Sequence, residues 1–251
     1  MSKVIALFNQ SGGVGKSTLT INLGYHLALR KNRVLLVDMD PQASLTVFMG
    51  LEPADLDQTV ANSILEGKLP PIYAGIHGMD LIPSNITLSA AEIQLTSVMA
   101  REWKLKRTLE MIPSHYDFLL IDAPPSLGIL SILSLVASTH VLVPIQTQYK
   151  SFKGTELLLD SISQVRTHVN HDLKIAGVIP MMYAASNAQD KAILSAIQEQ
   201  MSVIATVYPP IPRATAFADA SMERLPLAIY SPKHPATKVM DEITAGLEGM
   251  S

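Results

Sequence analysis

Asn9-Gln10-Ser11-Gly12-Gly13-Val14-Gly15-Lys16-Ser17-Thr18 follows directly on an apolar run at 4–8. That order, a buried strand, a glycine-rich turn and a helix start, suits polyphosphate binding. Glycines let successive backbone N–H groups close around phosphate oxygens, Lys16 adds a point charge for β and γ phosphates, and the Ser17 hydroxyl reaches Mg²⁺. The strict spacing wants glycine where Gln10 stands. The signal therefore rests on Gly12-Gly13-Val14-Gly15-Lys16-Ser17-Thr18 and its strand-then-helix setting, with a nucleotide as the implied ligand.

Two further apolar runs end in acids, Leu35-Leu36-Val37-Asp38-Met39-Asp40-Pro41-Gln42 and Leu119-Leu120-Ile121-Asp122-Ala123-Pro124-Pro125-Ser126. Magnesium keeps several waters and is held through one or two carboxylates plus phosphate oxygens, so an acid at a strand end beside the phosphate loop is what it needs. Asp122 suits that role through the metal's water shell. Aspartate before proline also starts turns, which leaves a capping role open for Asp40 and Asp122.

These segments need a scaffold that brings strand ends together. Short apolar runs at 4–8, 34–37, 81–83, 118–121, 140–145, 175–179 and 203–207 read as buried strands. Helical periods fall between them at 17–30, 59–66, 90–112, 127–136, 153–169, 187–200 and 238–247. Alternation of this kind predicts an α/β fold: a single doubly wound, mainly parallel sheet flanked by helices, with 1–251 as one domain. Ligands of such sheets sit beyond the carboxyl ends of the strands, where the loop and both acids fall.

Composition narrows the classes. With 48% apolar and 16% charged residues the chain is globular. Absence of cysteine excludes disulfides and Cys-ligated zinc or iron–sulfur sites, and with no charged-then-apolar leader before residue 4 it makes the cytoplasm the expected location. A net charge of −3 confines any nucleic-acid contact to a local patch.

Taken together, the loop, the Asp38-to-Gln42 segment and the Asp122-to-Ser126 segment resemble the ParA/MinD group of P-loop ATPases over nearly the whole chain. Arg101-Glu102 with Leu105, Pro144-Ile145-Gln146, Ile211-Pro212-Arg213 and Tyr230-Ser231-Pro232 extend the match. The resemblance implies a P-loop NTPase fold and an ATP-dependent switch with ATP and Mg²⁺ as ligands and a nucleotide sandwich homodimer. It implies Asp40 orienting the attacking water, Ser17 and Asp122 at the metal with Asp38 near its water shell, and the Pro212 loop near adenine.

One position departs. The group carries a second lysine where Ser11 stands, which reaches the partner's nucleotide in the dimer. A charge of this finger type is worth roughly 10³ to 10⁵ in rate, or about 4 to 7 kcal/mol. The same loss resembles the McdA branch, whose members distribute carboxysomes along the nucleoid with a small adaptor. Lys150 and Lys153, in the loop after the strand at 140–145, stand where relatives tend to have an aromatic residue and an acid. Lys150 is the candidate for a relocated charge, Lys153 is expected to open the next helix, and two ordinary solvated lysines are the alternative.

The expected activity is thus ATP hydrolysis that positions cargo: an ATP-bound dimer on non-specific nucleoid DNA, released by an McdB-like or ParB-like adaptor protein. Plasmid or chromosome partition is the runner-up; a small-molecule P-loop enzyme or a non-hydrolysing scaffold are alternatives from other classes. Arg213, Arg224, Lys233 and Lys238 are the candidate DNA contacts. Trp103 among Arg101, Lys104, Lys106 and Arg107 reads as a helix face with its indole packed inward or at a dimer contact. The last helix holds Asp241, Glu242 and Gly246 and lacks a basic amphipathic face, so no membrane partner is expected.

Overall fold

The computed structural model describes residues 2–250. The first half builds β1 (Lys3–Leu7), α1 (Lys16–Leu29), β2 (Val34–Asp38), α2 (Ser44–Phe48), α3 (Val60–Glu66), β3 (Tyr73–Ile76), β4 (Met79–Ile82), α4 (Thr87–Leu95) and α5 (Lys104–Glu110). The chain continues through β5 (Phe118–Asp122), α6 (Ile129–Ala137), β6 (His140–Gln146), α7 (Tyr149–Lys153), α8 (Thr155–His168) and β7 (Lys174–Met181). It closes with α9 (Ala188–Met201), α10 (Ala216–Met222), α11 (Leu227–Tyr230) and α12 (Pro235–Glu248).

All seven strands share one sheet in the order β3-β4-β2-β5-β1-β6-β7, parallel except for β3 against β4. Side-chain alternation divides the strands between two cores. Ala6, Leu35, Val37, Leu119 and Ile121 face the layer of α3 to α6, α8 and α9, whereas Ile5, Leu7, Leu36, Phe118 and Leu120 face α1 and α12. Gly24 sets the approach of α1: a Cβ there would stand 2.8 Å from Leu36 Cδ2 and from Met79 Sδ. The helix therefore lies flush on β2 and β4, which fixes its N-terminus at the end of β1.

The structure corrects four expectations. Residues 203–207 form no strand; Val207 makes a single bridge to Val178, and Pro209 and Pro210 supply no N–H with which a ladder could continue. The helix expected at 90–112 breaks after α4, where the hydroxyls of Thr96 and Ser97 bond back to the Ile93 and Gln94 carbonyls and Ala100 turns left-handed at φ 52°. Its second part begins with a 3₁₀ turn at Arg101–Trp103. The antiparallel β3 was not expected; its hairpin with β4 turns through His77 and Gly78, both at positive φ. Finally, Lys150 and Lys153 lie in the short helix α7, Lys153 as its last residue rather than the opening of α8.

Candidate nucleotide site

Parallel register brings the chemistry to one edge. Leu7, last in β1, pairs with Asp122, and Asp122 pairs with Asp38 across β5 and β2, so the loop leaves β1 directly beside both acids. Gly13 at φ 71° and Gly15 at φ 89° hold the left-handed turns that wind the loop into α1. A Cβ on Gly15 would also meet Met181 Cε at 3.2 Å.

Asn9 anchors the entry to the loop. Its Nδ2 donates to the Pro144 carbonyl at 2.6 Å and its Oδ1 accepts the Ser11 N–H at 2.8 Å. Lys16 is buried, and its ammonium donates to the carbonyls of Asn9 at 2.9 Å and Ser11 at 3.2 Å. Burial lowers its pKa, opposed by the carboxylates of Asp122 and Asp40. The ammonium is thus held by two loop carbonyls that a phosphate oxygen can replace.

The three acids are not equivalent. Asp122 is 1% exposed and both carboxyl oxygens lack a hydrogen-bond partner. Burial, with the neighbouring Asp38 second, pushes its pKa well above the ordinary carboxylate range; the nearby Ser17 hydroxyl and Lys16 oppose the rise. Ser17 makes no hydrogen bond of normal geometry to it. Asp38 is equally buried but fully engaged: Oδ1 accepts the Asp40 N–H at 3.1 Å, and Oδ2 accepts the Thr46 N–H at 2.9 Å and its hydroxyl at 2.7 Å. Burial lifts its pKa to about 7, against those bonds. Asp38 therefore ties the Asp40 turn to α2 and has no lone carboxyl oxygen to offer directly. Asp40 stands half-buried, its Oδ1 accepting the Gln42 N–H at 2.9 Å.

Two cavities open on this edge. One of about 290 Å³ is lined by Gly13, Val14, Gly15, Lys16, Ser17 and Thr18 together with Asp40, Ser44, Phe48, Pro125 and Met182. The other, about 140 Å³ and mainly apolar, is lined by Gly15, Thr18, Leu19, Met181, Met182, Ile211, Pro212, Arg213, Ala214, Phe217 and Met240. They share Gly15, Thr18 and Met182, so a more polar chamber, carrying Lys16 and Asp40, and a mainly apolar one meet beside the loop. Among the described residues no group of three or more His, Asp or Glu side chains is placed to hold a metal. A cation bound here would depend on phosphate oxygens, the Ser17 hydroxyl and the partnerless Asp122, which is the donor set a hard ion accepts.

The structure thus gathers Gly12 to Thr18, Asp38, Asp40 and Asp122 at one edge, with Pro212 in the apolar chamber. Lys150 stands exposed on α7 and is not drawn into either cavity. Arg213 is exposed, its guanidinium 3.8 Å from the buried Asp190, and Arg224 donates to the Gly50 carbonyl. Lys233 and Lys238 are exposed. Trp103 packs partly buried on the core with Lys106 over its ring at 5.2 Å. Sequence reasoning missed Asn9 and Met182. An Asx residue two before the turn hinted at the first, whereas nothing marked a methionine at φ 57° that lines both chambers.

Comparisons with known proteins agree with this geometry. The AAA domain family matches residues 2–175. The sporulation initiation inhibitor protein Soj of Bacillus subtilis is 38% identical over 244 residues, 95% of each chain. The chromosome-partitioning ATPase Soj of Treponema pallidum is 35% identical over 92% of this chain and 90% of its own. Among solved structures, cobyrinic acid a,c-diamide synthase from Mycobacterium smegmatis with bound ATP analog and magnesium superposes with TM-score 0.81 at 35% identity, covering 89% of this chain and 92% of that one. Cyanothece apo McdA superposes with TM-score 0.88 at 25% identity over 98% and 100%. A phosphate loop at the end of β1, flanked by the acids of β2 and β5 on a doubly wound sheet, and relatives of the Soj type matched over most of both chains place the chain in the ParA/Soj-type family of AAA-domain P-loop ATPases.

Proposed function

We propose that the chain is a positioning ATPase: it binds Mg²⁺ and ATP, dimerises around the nucleotide, holds non-specific DNA in that state, and hydrolyses ATP when an adaptor protein engages it. One observation carries the nucleotide step: the carboxylate of Asp122, buried without a partner beside an ammonium capped only by loop carbonyls. Such an arrangement is unfavourable empty and is relieved by phosphate and a hydrated cation. Magnesium, when bound, supplies charge neutralisation at the β and γ phosphates. Ser17 and Asp122 would hold it, while Asp38 keeps the Asp40 turn in place.

The remaining steps belong to the chain's own groups. Loop N–H groups close on the phosphates, and Lys16 exchanges the Asn9 and Ser11 carbonyls for phosphate oxygens. The adenine enters the apolar chamber near Pro212. Asp40, beside the polar chamber, orients the attacking water. Ser11 supplies no charge across the dimer, and Lys150 on α7 does so in its place.

The Soj relatives support partition of a chromosome or plasmid as the cargo process. Carboxysome distribution is the second reading, favoured by the serine at position 11, with an McdB-like rather than a ParB-like adaptor. Either makes the chain a cytoplasmic, nucleoid-associated protein; no helix among the described residues is long and apolar enough to cross a membrane. For the diamide-synthase class named by one structural relative, a second substrate needs its own catalytic groups beside the phosphates, and the polar chamber's lining holds only Asp40 and Lys16 as ionisable side chains.

Filter binding to random-sequence DNA, with and without ATP, tests the cycle. ATP-dependent binding that falls steeply with salt is expected, because pairing two protomers doubles a sparse set of cations. Equal affinity without nucleotide, or none at low salt with ATP present, would refute it. A fluorescent fusion imaged beside marked carboxysomes and marked plasmids separates the two cargoes.

A further inference from the structure

The corner between β6 and α7 carries polar bonds that nucleotide binding itself leaves unused. Gln146, last in β6, donates through Nε2 to the Gly13 carbonyl of the phosphate loop at 2.8 Å and to the Met182 sulfur at 3.3 Å. Its Oε1 accepts the Ser151 hydroxyl of α7 at 3.3 Å. From the loop's other end, Gln10 Nε2 donates to the carbonyl of Gly154, the residue that caps α7, at 3.2 Å. The five residues of α7 are therefore tied to the loop on both sides of Ser11.

The next residue is fixed. Thr147 is fully buried, its N–H donating to the Met181 carbonyl at 3.0 Å and its hydroxyl lying 3.3 Å from Asp190 Oδ2. The corner is thereby pinned, and the Gln146 side-chain amide joins the Gly13 carbonyl to the Ser151 hydroxyl. On the far side α7 is open: none of its residues is buried, Tyr149 is 54% exposed, and Lys153 Nζ sits 5.3 Å above the Tyr149 ring.

The Gly13 carbonyl shares a planar peptide unit with the Val14 N–H and points the opposite way, so any turn of that N–H towards a bound phosphate would turn the carbonyl that Gln146 holds. Gly13, at positive φ, has the backbone freedom to do so. We infer that Gln146 is a positioning residue that couples the phosphate loop to α7, so that nucleotide occupancy sets the placement of the exposed Tyr149–Lys153 face. This rests on the nucleotide site proposed above.

The chain has no cysteine, so Tyr149→Cys gives a unique attachment point for an environment-sensitive dye on α7. ATP with Mg²⁺ should change the dye's emission in this reporter. Adding Gln146→Leu should shrink the nucleotide-dependent change by about fivefold, the ratio that one net hydrogen bond sets in a two-state equilibrium. Ser151→Ala leaves the Gly13 bond in place and should shrink the change comparably with ATP affinity unaltered. Full response in both variants, or no response in the reporter at saturating ATP, would overturn the coupling. Failure of the reporter to bind ATP in a direct titration would instead overturn the nucleotide site.

Discussion

Replacing Asp122 by asparagine should make the nucleotide-free chain more stable. Its two carboxyl oxygens are buried without donors, and in-register pairing of β2 and β5 sets the Asp38 carboxylate beside it. A buried polar group left unsatisfied costs roughly 1–3 kcal/mol, and more when charged. Asparagine keeps the shape and removes the charge but still leaves an unpartnered amide, so only the excess cost of the charge is recovered, a gain of about 1 kcal/mol or roughly 2–4 °C in Tm for a chain of this length. The pH dependence has a definite sign. Because the folded pKa of Asp122 is raised, the native state takes up this proton first on acidification, and the wild-type chain recovers stability as pH falls from the folded value towards the ordinary carboxylate range. The asparagine variant's advantage is therefore largest above the folded pKa of Asp122 and fades as pH falls from it towards the ordinary carboxylate range. Calorimetric melting at neutral and mildly acidic pH measures it, and a second melt with ATP and Mg²⁺ should show the ligand-induced rise largely abolished in the variant. A variant that melts below wild type at neutral pH, or keeps the full ligand-induced rise, would refute the assignment of Asp122 as the partnerless carboxylate of a cation site.

Lys16→Ala removes the one ammonium in the polar chamber and should weaken ATP binding by roughly 10- to 100-fold in a calorimetric titration, the value of a charge-assisted bond. Asp40→Ala should keep ATP binding while phosphate release falls by about 10² or more, the loss expected when an attacking group is no longer positioned. Lys150→Ala should reduce ATP-dependent dimerisation in analytical ultracentrifugation while monomer affinity for ATP survives; wild-type dimerisation and turnover in a Lys150→Ala, Lys153→Ala double variant would remove the relocated charge. Gly24→Ala should destabilise by about 1–3 kcal/mol in urea unfolding, because the added methyl meets Leu36 and Met79 at 2.8 Å.

What sequence revealed, and what it hid, follows from the range of the forces involved. The loop, both acid-ending strands and the central parallel sheet were legible because each is written in adjacent residues: glycines where φ must be positive, apolar runs where both faces are buried, acids where a strand ends. The break between α4 and α5 was not, since Thr96 and Ser97 can sit in a helix and only their bonds to Ile93 and Gln94 show that here they end one. The strand expected at 203–207 failed for the converse reason: its composition fits a strand, but the prolines that follow leave it a single bridge to β7. The division of labour between Asp38 and Asp122 was the least legible part. Both end apolar strands and both are buried, and local sequence treats them alike. They part because α2 folds back over β2 and brings the Thr46 N–H and hydroxyl to Asp38, whereas the carboxyl oxygens of Asp122 are left without a hydrogen-bond partner. A carboxylate satisfied by the fold is a structural tie, and one left unsatisfied by the fold is a site awaiting charge. That distinction depends on residues eight positions away in one case and on an absence in the other, so it emerges only once the sheet register and the path of α2 are known.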